Sequence, residues 1–488
     1  MTDTLILVLD AGTTSTRAIA FSPAGEIVAS AARPITQHYP ASGWVEHDAG
    51  EILALSRAVL EEVAAQVGPA RIAGIGITNQ RETICFWDRT TGEPLARAIV
   101  WQDRRTADIC AALKAHEPDV QARTGLLLDP YFSATKIRWA LENWPTVADA
   151  ARDARLAVGT VESWLVWHLS GGQHHITDAT NASRTLLMDL GSCQWDSDLI
   201  DLFDVPASAL PAITDCAGML ATAHVAGRVI PITGLAGDQQ AAAIGQACLT
   251  PGALKATYGT GCFLLAHAGA EPPVSRNRLL ATVAWRLGGQ AAYALEGAIF
   301  VAGSAVQWLR DGMGILAESA DSEQLAQSVP DNGGVSFVPA LAGLGAPHWA
   351  PEARGLICGL SGGTTRAHIV RAALEAQGQQ TADLVDALAA DGVPAARLRV
   401  DGGMVANNWL CQDLADSMGL VVERPRVIET TALGAAMLAG VGAGIFADLA
   451  AAAAAMAGVD RSFHPAIDAA ARTGRRSQWQ AAIRKVLA

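Results

Sequence analysis

The best candidate for chemistry in this chain is Asp238. It sits in Thr233–Gln246, Thr-Gly-Leu-Ala-Gly-Asp-Gln-Gln-Ala-Ala-Ala-Ile-Gly-Gln, between a Gly-broken apolar run and the start of a helix. A carboxylate on such a turn, followed by small residues, can face a cleft as a general base or a metal partner. The same residue can instead cap a helix beginning near Gln239, since Asp is a favoured N-cap residue. The surrounding pattern decides between these readings.

Two Gly-Thr turns stand between apolar runs. Leu5–Leu9 ends at Asp10-Ala11-Gly12-Thr13-Thr14-Ser15-Thr16 and the apolar pattern resumes at Ala18–Phe21. Leu254–Thr257 leads into Tyr258-Gly259-Thr260-Gly261, followed by Cys262–Ala266. Each predicts strand, tight turn, strand. A doubled hairpin, one near the start of each half, predicts two related domains facing a shared cleft. Arg71–Thr78 reads as a strand and Ala107–Lys114 as a helix, so the layers are α/β, with the boundary in Cys248–Gly252. Further on, Arg399–Val400 ends at Asp401-Gly402-Gly403, and Asn407-Asn408 opens a helical stretch to Met418. Such a turn can lie against a nucleotide or be a plain tight turn.

Neither Gly-x-x-x-x-Gly-Lys-Ser/Thr nor Gly-x-Gly-x-x-Gly after a strand is present, which removes the Walker and dinucleotide readings. The hairpins offer exposed N–H groups and hydroxyls, which can donate to phosphate oxygens without a lysine. Asp10, at the mouth of the first, can hold magnesium through water.

Composition narrows the partners. A chain of 488 residues, 50% hydrophobic, can bury more than one core. Its net charge of −13 and the lack of a basic stripe exclude nucleic acid and anionic membranes, leaving small metabolites. Eight scattered cysteines form neither a zinc pattern nor a disulfide framework. Met1–Leu9 lacks the features of a signal peptide, and the Ala-rich run Ala447–Gly458 is too short and too weakly hydrophobic to span a membrane. It reads as a surface-packed helix. A cytoplasmic protein is the expectation. The adjacent His174-His175 point to opposite sides of a strand and have no third ligand, so they are not read as a metal site.

These residues extend to a resemblance. From Leu5 to about Phe446 the chain resembles the FGGY carbohydrate kinases, and among them those acting on glycerol. The matching blocks are Asp10–Ser15, Gly43–Asp48, Ile77–Thr83, Asp129–Ser133, Gly237–Gln240, Tyr258–Phe263 and Gly343–Pro347. The resemblance implies an α/β fold of two ribonuclease-H-like domains (actin/hexokinase-type ATPase) around a central cleft. Residues 1–248 would carry the substrate pocket and the phosphate hairpin, and residues 249–488 would bind adenosine. It implies ATP-dependent phosphorylation of glycerol to sn-glycerol 3-phosphate, with ATP and Mg²⁺ as cofactors and Asp238 as general base. Thr13, Thr14, Ser15 and Arg17 would contact the phosphates and Thr260 would approach from the opposite domain, while Gly303, Gln307, Gly403 and Asn407 would line the adenosine pocket. Arg81, Glu82, Tyr131, Asp238 and Gln239 would bind glycerol, with Trp101 and Phe263 as apolar walls. Asp10 and Asp238 would hold the metal, largely through water, and the assembly would be a homodimer or homotetramer.

The chain also departs from its relatives. Ala11 stands where many have Gln. The segment His224–Pro231, read as an exposed loop, lacks the Gly-Gly-Lys-Gly-Gly of relatives inhibited by fructose 1,6-bisphosphate, so no such inhibition is expected. His224 falls at a position phosphorylated in another branch, but in different surroundings. Rival readings are a kinase of another small polyol or ketose (a tetritol, a pentulose or dihydroxyacetone) and a non-catalytic actin-like ATP-binding protein.

Overall fold

A computed structural model describes residues 4–488, so Met1–Asp3 of the segment read for a signal peptide lie outside the described residues. The first sheet has six strands: β1 (Leu5–Ala11), β2 (Ser15–Phe21), β3 (Ile27–Pro34), β4 (Ile72–Asn79), β5 (Ala217–Val225) and β6 (Arg228–Gly237). Their order is β3-β2-β1-β4-β6-β5, with β1, β4 and β6 mutually parallel. The second sheet comprises β7 (Ala253–Tyr258), β8 (Cys262–Gly269), β9 (Leu280–Leu287), β10 (Gln290–Ile299), β11 (Arg397–Asp401), β12 (Val422–Pro425) and β13 (Val459–Phe463). Its order is β9-β10-β8-β7-β11-β12-β13, with β7, β11 and β12 parallel. Apart from the extra strand β9, the two sheets repeat one strand arrangement, a hairpin, two further parallel strands and an antiparallel edge, although the edge strand β5 precedes its neighbour in the chain and β13 follows its own.

Register sets where the chemistry emerges. Ala11 lies opposite Asn79, and Asn79 opposite Gly237, so the first hairpin, the loop after β4 and Asp238 leave the sheet at one edge. Thr257 pairs with Asp401, which brings the second hairpin and the Gly402-Gly403 turn to the matching edge of the second sheet. Ligands in open α/β sheets bind outside the carboxyl ends of parallel strands, and both sheets present those ends.

β1 is an unbroken apolar run because both its faces are covered. Leu5, Leu7 and Leu9 pack with Ile52, Val59 and Leu60 of α1 (Ala49–Val67) and with Trp164 and Leu165 of α2 (Val161–Leu169). Ile6 and Val8 face the other way, onto Leu433–Ala439 of α3 (Thr430–Gly442) and Leu449 and Met456 of the following helix, Leu449–Met456. The Ala-rich run thus supplies that short helix, one side of which is buried. The packing also crosses the division at residue 248, because Thr430–Met456 of the second half covers the first sheet. Gly434 makes this possible, since a Cβ there would strike the backbone of Ala241 on the crossing helix Asp238–Gly245.

The predicted helix at Ala107–Lys114 runs over Ala107–Ala112 and then tightens into a 3₁₀ turn at Lys114–His116. The segment read as a loop around His224 is instead the β5–β6 hairpin, with Ala226 and Gly227 both at positive φ as a two-residue turn of this hand requires. His224 pairs with Val229 and is exposed. All eight cysteines are free, and seven of them are buried. His175 is a structural residue, its Nε2 donating to the Val158 carbonyl oxygen at 2.9 Å. No helix among the described residues is long and apolar enough to cross a membrane.

Glu162, on α2, is fully buried. Thr160 and Thr177 donate to its Oε1 at 2.6 and 2.7 Å, while Oε2 has no partner. Burial, aided by the charge of Asp178, pushes its carboxyl up to about 7. A folded-state pKa above the unfolded value gives stability that is complete below the unfolded pKa and is lost as pH rises through the folded one. Glu162→Gln should therefore gain on the wild type between pH 5 and pH 8 by about 2–3 kcal/mol. Chemical denaturation at both pH values tests this, and an unchanged difference would refute it.

Candidate active site

The loop Gln80–Thr83 leaves β4 beside the first hairpin and is sewn to it. The Gln80 N–H donates to the Ala11 carbonyl at 2.9 Å, and its side-chain amide donates to the Gly12 carbonyl at 3.1 Å. Glu82 holds φ at +61°, a region that a residue with a Cβ enters only when its surroundings enforce it. Two donors do so. Ser133 Oγ and Lys136 Nζ, both on the helix Ser133–Asn143, reach the Glu82 carbonyl at 3.1 and 3.3 Å, and Lys136 also donates to the Tyr131 carbonyl at 2.7 Å. Burial lowers the Lys136 ammonium to about 7, partly opposed by Glu82, Asp103 and Asp129.

Arg81 is the hub of the site. Its guanidinium donates to both oxygens of Glu296, at 2.6 and 3.1 Å, reaches Gln240 Oε1 at 3.3 Å and Tyr131 Oη at 3.5 Å, and turns Nε toward Asp238 Oδ1 at 3.4 Å. Arg184 completes the cluster, giving Nε to Glu82 at 2.6 Å and Nη2 to Glu296 at 3.1 Å. The side chains of Arg81, Arg184, Glu82 and Glu296 are all at most 2% exposed. Buried charges of this kind persist only when paired and hydrogen-bonded.

Asp238 is not a helix cap. Gly237 holds that position without a side-chain bond, and Asp238 Oδ1 accepts only the next N–H, that of Gln239, at 2.7 Å. Its side chain keeps 30% of its surface open, yet it lies deep in the cleft. Desolvation therefore raises its carboxyl above the usual range, against the pull of Arg81 and Lys255, and Asp10 pushes it further up. Gln239 accepts from Lys255 Nζ at 2.6 Å, leaving its amide N–H groups free for a ligand. The Trp101 ring stands edge-on to Tyr131 and Phe263, with centroids 5.7 and 6.3 Å away, and its indole N–H donates to Thr13 Oγ1 at 2.9 Å. All seven residues expected around the acceptor thus gather at one place, joined directly to the first hairpin.

On that hairpin Thr14 is exposed, and Thr13 and Ser15 are half-buried. Arg17 is spoken for: its guanidinium bridges Asp10 at 2.6 Å and Glu429 at 2.5 Å. Across the cleft, the Gly303 N–H donates to the Gly259 carbonyl and the Ala302 N–H to the Thr260 carbonyl, each at 2.9 Å. This seats the second hairpin on the start of the helix Gly303–Asp311. Gly303 also lies beside Met404, so Thr260, Gly303 and Gly403 are neighbours, with Gln307 exposed one turn along that helix. Asn407 caps Asn408–Met418 by accepting from the Leu410 N–H at 2.9 Å.

Sequence reasoning passed over Arg184, Glu296, Lys255, Gln240 and Lys136. Lys255 and Glu296 had left a signal, each being a lone charge inside an apolar strand, in Ala-Leu-Lys-Ala-Thr and Ala-Leu-Glu-Gly-Ala.

Residues 5–245 match the N-terminal domain of the FGGY family of carbohydrate kinases, and residues 254–443 match its C-terminal domain. The chain belongs to the FGGY carbohydrate kinases. It is 54% identical to a glycerol kinase of Rhodospirillum centenum over 98% of its length and 97% of that protein. It is 53% identical to glycerol kinase 1 of Pseudomonas aeruginosa over 91% of each. Among solved structures it matches the Plasmodium falciparum glycerol kinase with ADP at a TM-score of 0.95 and 36% identity, covering 99% and 98% of the two chains. A xylulose kinase from Rhodospirillum rubrum matches at 0.88 and 26%, again over 99% and 98%. The fold is the two-domain FGGY kinase fold, of the actin/hexokinase type.

This family transfers phosphate from ATP with Mg²⁺. The residues present fit that ion: Asp10 and Asp238 are both desolvated carboxylates, each with its pKa raised, and they repel one another across the gap between hairpin and acceptor pocket. No cluster of three or more His, Cys, Asp or Glu side chains suited to a metal occurs among the described residues.

Lys136→Met removes a donor from two buried carbonyls and frees the constrained Glu82 backbone. An unpaired buried acceptor costs about 1–3 kcal/mol, so unfolding stability should fall by at least that much in urea titrations. No loss would refute the bracing role.

Proposed function

We propose that this chain phosphorylates glycerol at a primary hydroxyl, taking the γ-phosphoryl group of ATP and releasing sn-glycerol 3-phosphate and ADP. One observation carries the reading: the Trp101 indole N–H donates to Thr13 Oγ1 at 2.9 Å, which joins the side chains gathered around Arg81 and Asp238 directly to the first hairpin. The naming of relatives more than 50% identical over nearly their whole length as glycerol kinases supports the same substrate.

In this reading a guanidinium, two carboxylates, a phenol and an amide (Arg81, Glu82, Asp238, Tyr131 and Gln239) satisfy three hydroxyls, each of which both donates and accepts. Trp101 and Phe263 cover the carbon chain. Asp238 takes the proton of the attacking hydroxyl. A desolvated carboxyl with a raised pKa is a better proton acceptor than an ordinary one, and Arg81 Nε keeps it oriented. Thr13, Thr14 and Ser15 donate to the phosphates, Thr260 meets them from the second domain, and Arg17 holds Asp10 in place as well as adding positive charge. Gly303, Gln307, Gly403 and Asn407 line the adenosine side. Magnesium, held by Asp10 and Asp238 largely through water, would neutralise charge on the phosphates as transfer proceeds. Closure of the two domains keeps water from competing for the phosphoryl group.

Eight unpaired cysteines accord with a reducing, cytoplasmic setting. A homodimer or homotetramer rests on the family resemblance.

A coupled assay of ADP release with ATP and Mg²⁺ should show turnover with glycerol exceeding that with erythritol, xylulose or dihydroxyacetone. Asp238→Asn should lower kcat by roughly 10² to 10⁴ while leaving glycerol binding in place. Absence of glycerol-dependent ADP release sinks the assignment, and a kcat for the variant within tenfold of the wild type sinks Asp238 as the base.

A further inference from the structure

Glu296 has no place in the chemistry above, yet it is among the most enclosed charges in the protein. It lies on β10 of the second sheet, 1% exposed, and reaches across to Arg81, on the loop that leaves β4 of the first sheet, and to Arg184. Its Oε2 accepts from Arg81 Nη1 at 2.6 Å, and its Oε1 accepts from Arg81 Nη2 and Arg184 Nη2, both at 3.1 Å. Burial alone would raise its carboxyl, but Arg184 and Arg81 hold it down to about 2, so it is an anion throughout the working range.

Two consequences follow from this placement. First, a bidentate pair fixes the plane of a guanidinium as well as its position. With Nη1 and Nη2 committed to Glu296, the only edge Arg81 offers Asp238 is Nε, at 3.4 Å. Second, Arg81 and Arg184 repel one another. Without the Glu296 carboxylate two like charges would be buried close together, with Glu82, which takes the Nε of Arg184 at 2.6 Å, the remaining carboxylate on Arg184. The carboxylate is supplied by one domain and the acceptor-binding arginine by the other, so the pocket has its working geometry only while the two sheets hold their present relation.

Resting on the glycerol kinase reading, we infer that Glu296 is a positioning residue that orients Arg81 from the opposite domain and thereby couples affinity for the acceptor polyol to the arrangement of the domains. It touches neither substrate. Its effect passes through Arg81 to the acceptor side, and the nucleotide side, built on Thr260, Gly303 and Gly403, is left alone.

The test is Glu296→Gln, which keeps the shape and one acceptor oxygen but removes the charge. Glycerol KM should rise tenfold or more, with a smaller fall in kcat and an ATP KM within twofold of the wild type. Glu296→Asp, which keeps the charge on a shorter arm, should recover part of the glycerol KM and carries the same readout if the Gln variant does not fold. A glycerol KM within twofold of the wild type, a parallel rise in both KM values, or failure of both variants to fold would overturn the inference. A wild-type protein without glycerol-dependent ADP release would instead fail the underlying reading, so the two failures are distinguishable.

Discussion

The buried alternation of charge Glu82, Arg184, Glu296, Arg81, Asp238 is the constraint on which the site depends. Each pair is almost wholly removed from water except at its Asp238 end, where the cleft opens. Removing such charges from solvent is expensive, and only near-complete pairing offsets it. The cluster is therefore better understood as a device for specificity than for stability. It fixes the direction of a planar cation and keeps one carboxylate partly free to meet a ligand. Lys136 and Ser133, bracing the unusual backbone of Glu82 from behind, belong to the same device.

The doubled sheet explains why the cluster sits where it does. Parallel strands whose ends are level deliver three segments to one edge: the first hairpin, the Arg81 loop and Asp238. The second sheet delivers its own hairpin and the Gly402-Gly403 turn in the same manner. In the proposed function, two such edges give a nucleotide tail one set of donors from each side. The proposed acceptor pocket occupies the end where Trp101 leans on Thr13. The proposed chemistry falls where both edges and the charge cluster meet.

How far the sequence disclosed this depends on whether a feature is local. The hairpins, the helix start at Asp238 and the Gly402-Gly403 turn are written in short-range patterns of apolar residues and glycine, and each was legible. Arg184 was not, because a lone arginine after Asn181-Ala182-Ser183 looks like a surface residue until the fold buries it. Lys255 and Glu296 interrupt apolar strands and so carried a faint trace of their roles. The hairpin at Ala226-Gly227 was hidden because Ala lacks the usual signature of a residue in the left-handed region. The placement of Thr430–Met456 on the first sheet rests on contacts more than 400 residues apart, such as that of Ile6 with Gly440, which no periodicity encodes.

That long-range packing bears on how the protein is made. During synthesis the apolar side of β1 formed by Ile6 and Val8 is finished early, but its cover of Leu433–Ala439 arrives only when nearly nine-tenths of the chain has left the ribosome. The leading half is thus born with a greasy flank and cannot complete its own interior, which exposes it to aggregation or chaperone capture in the interval. The two lobes are units of architecture, while the whole polypeptide is the unit of folding.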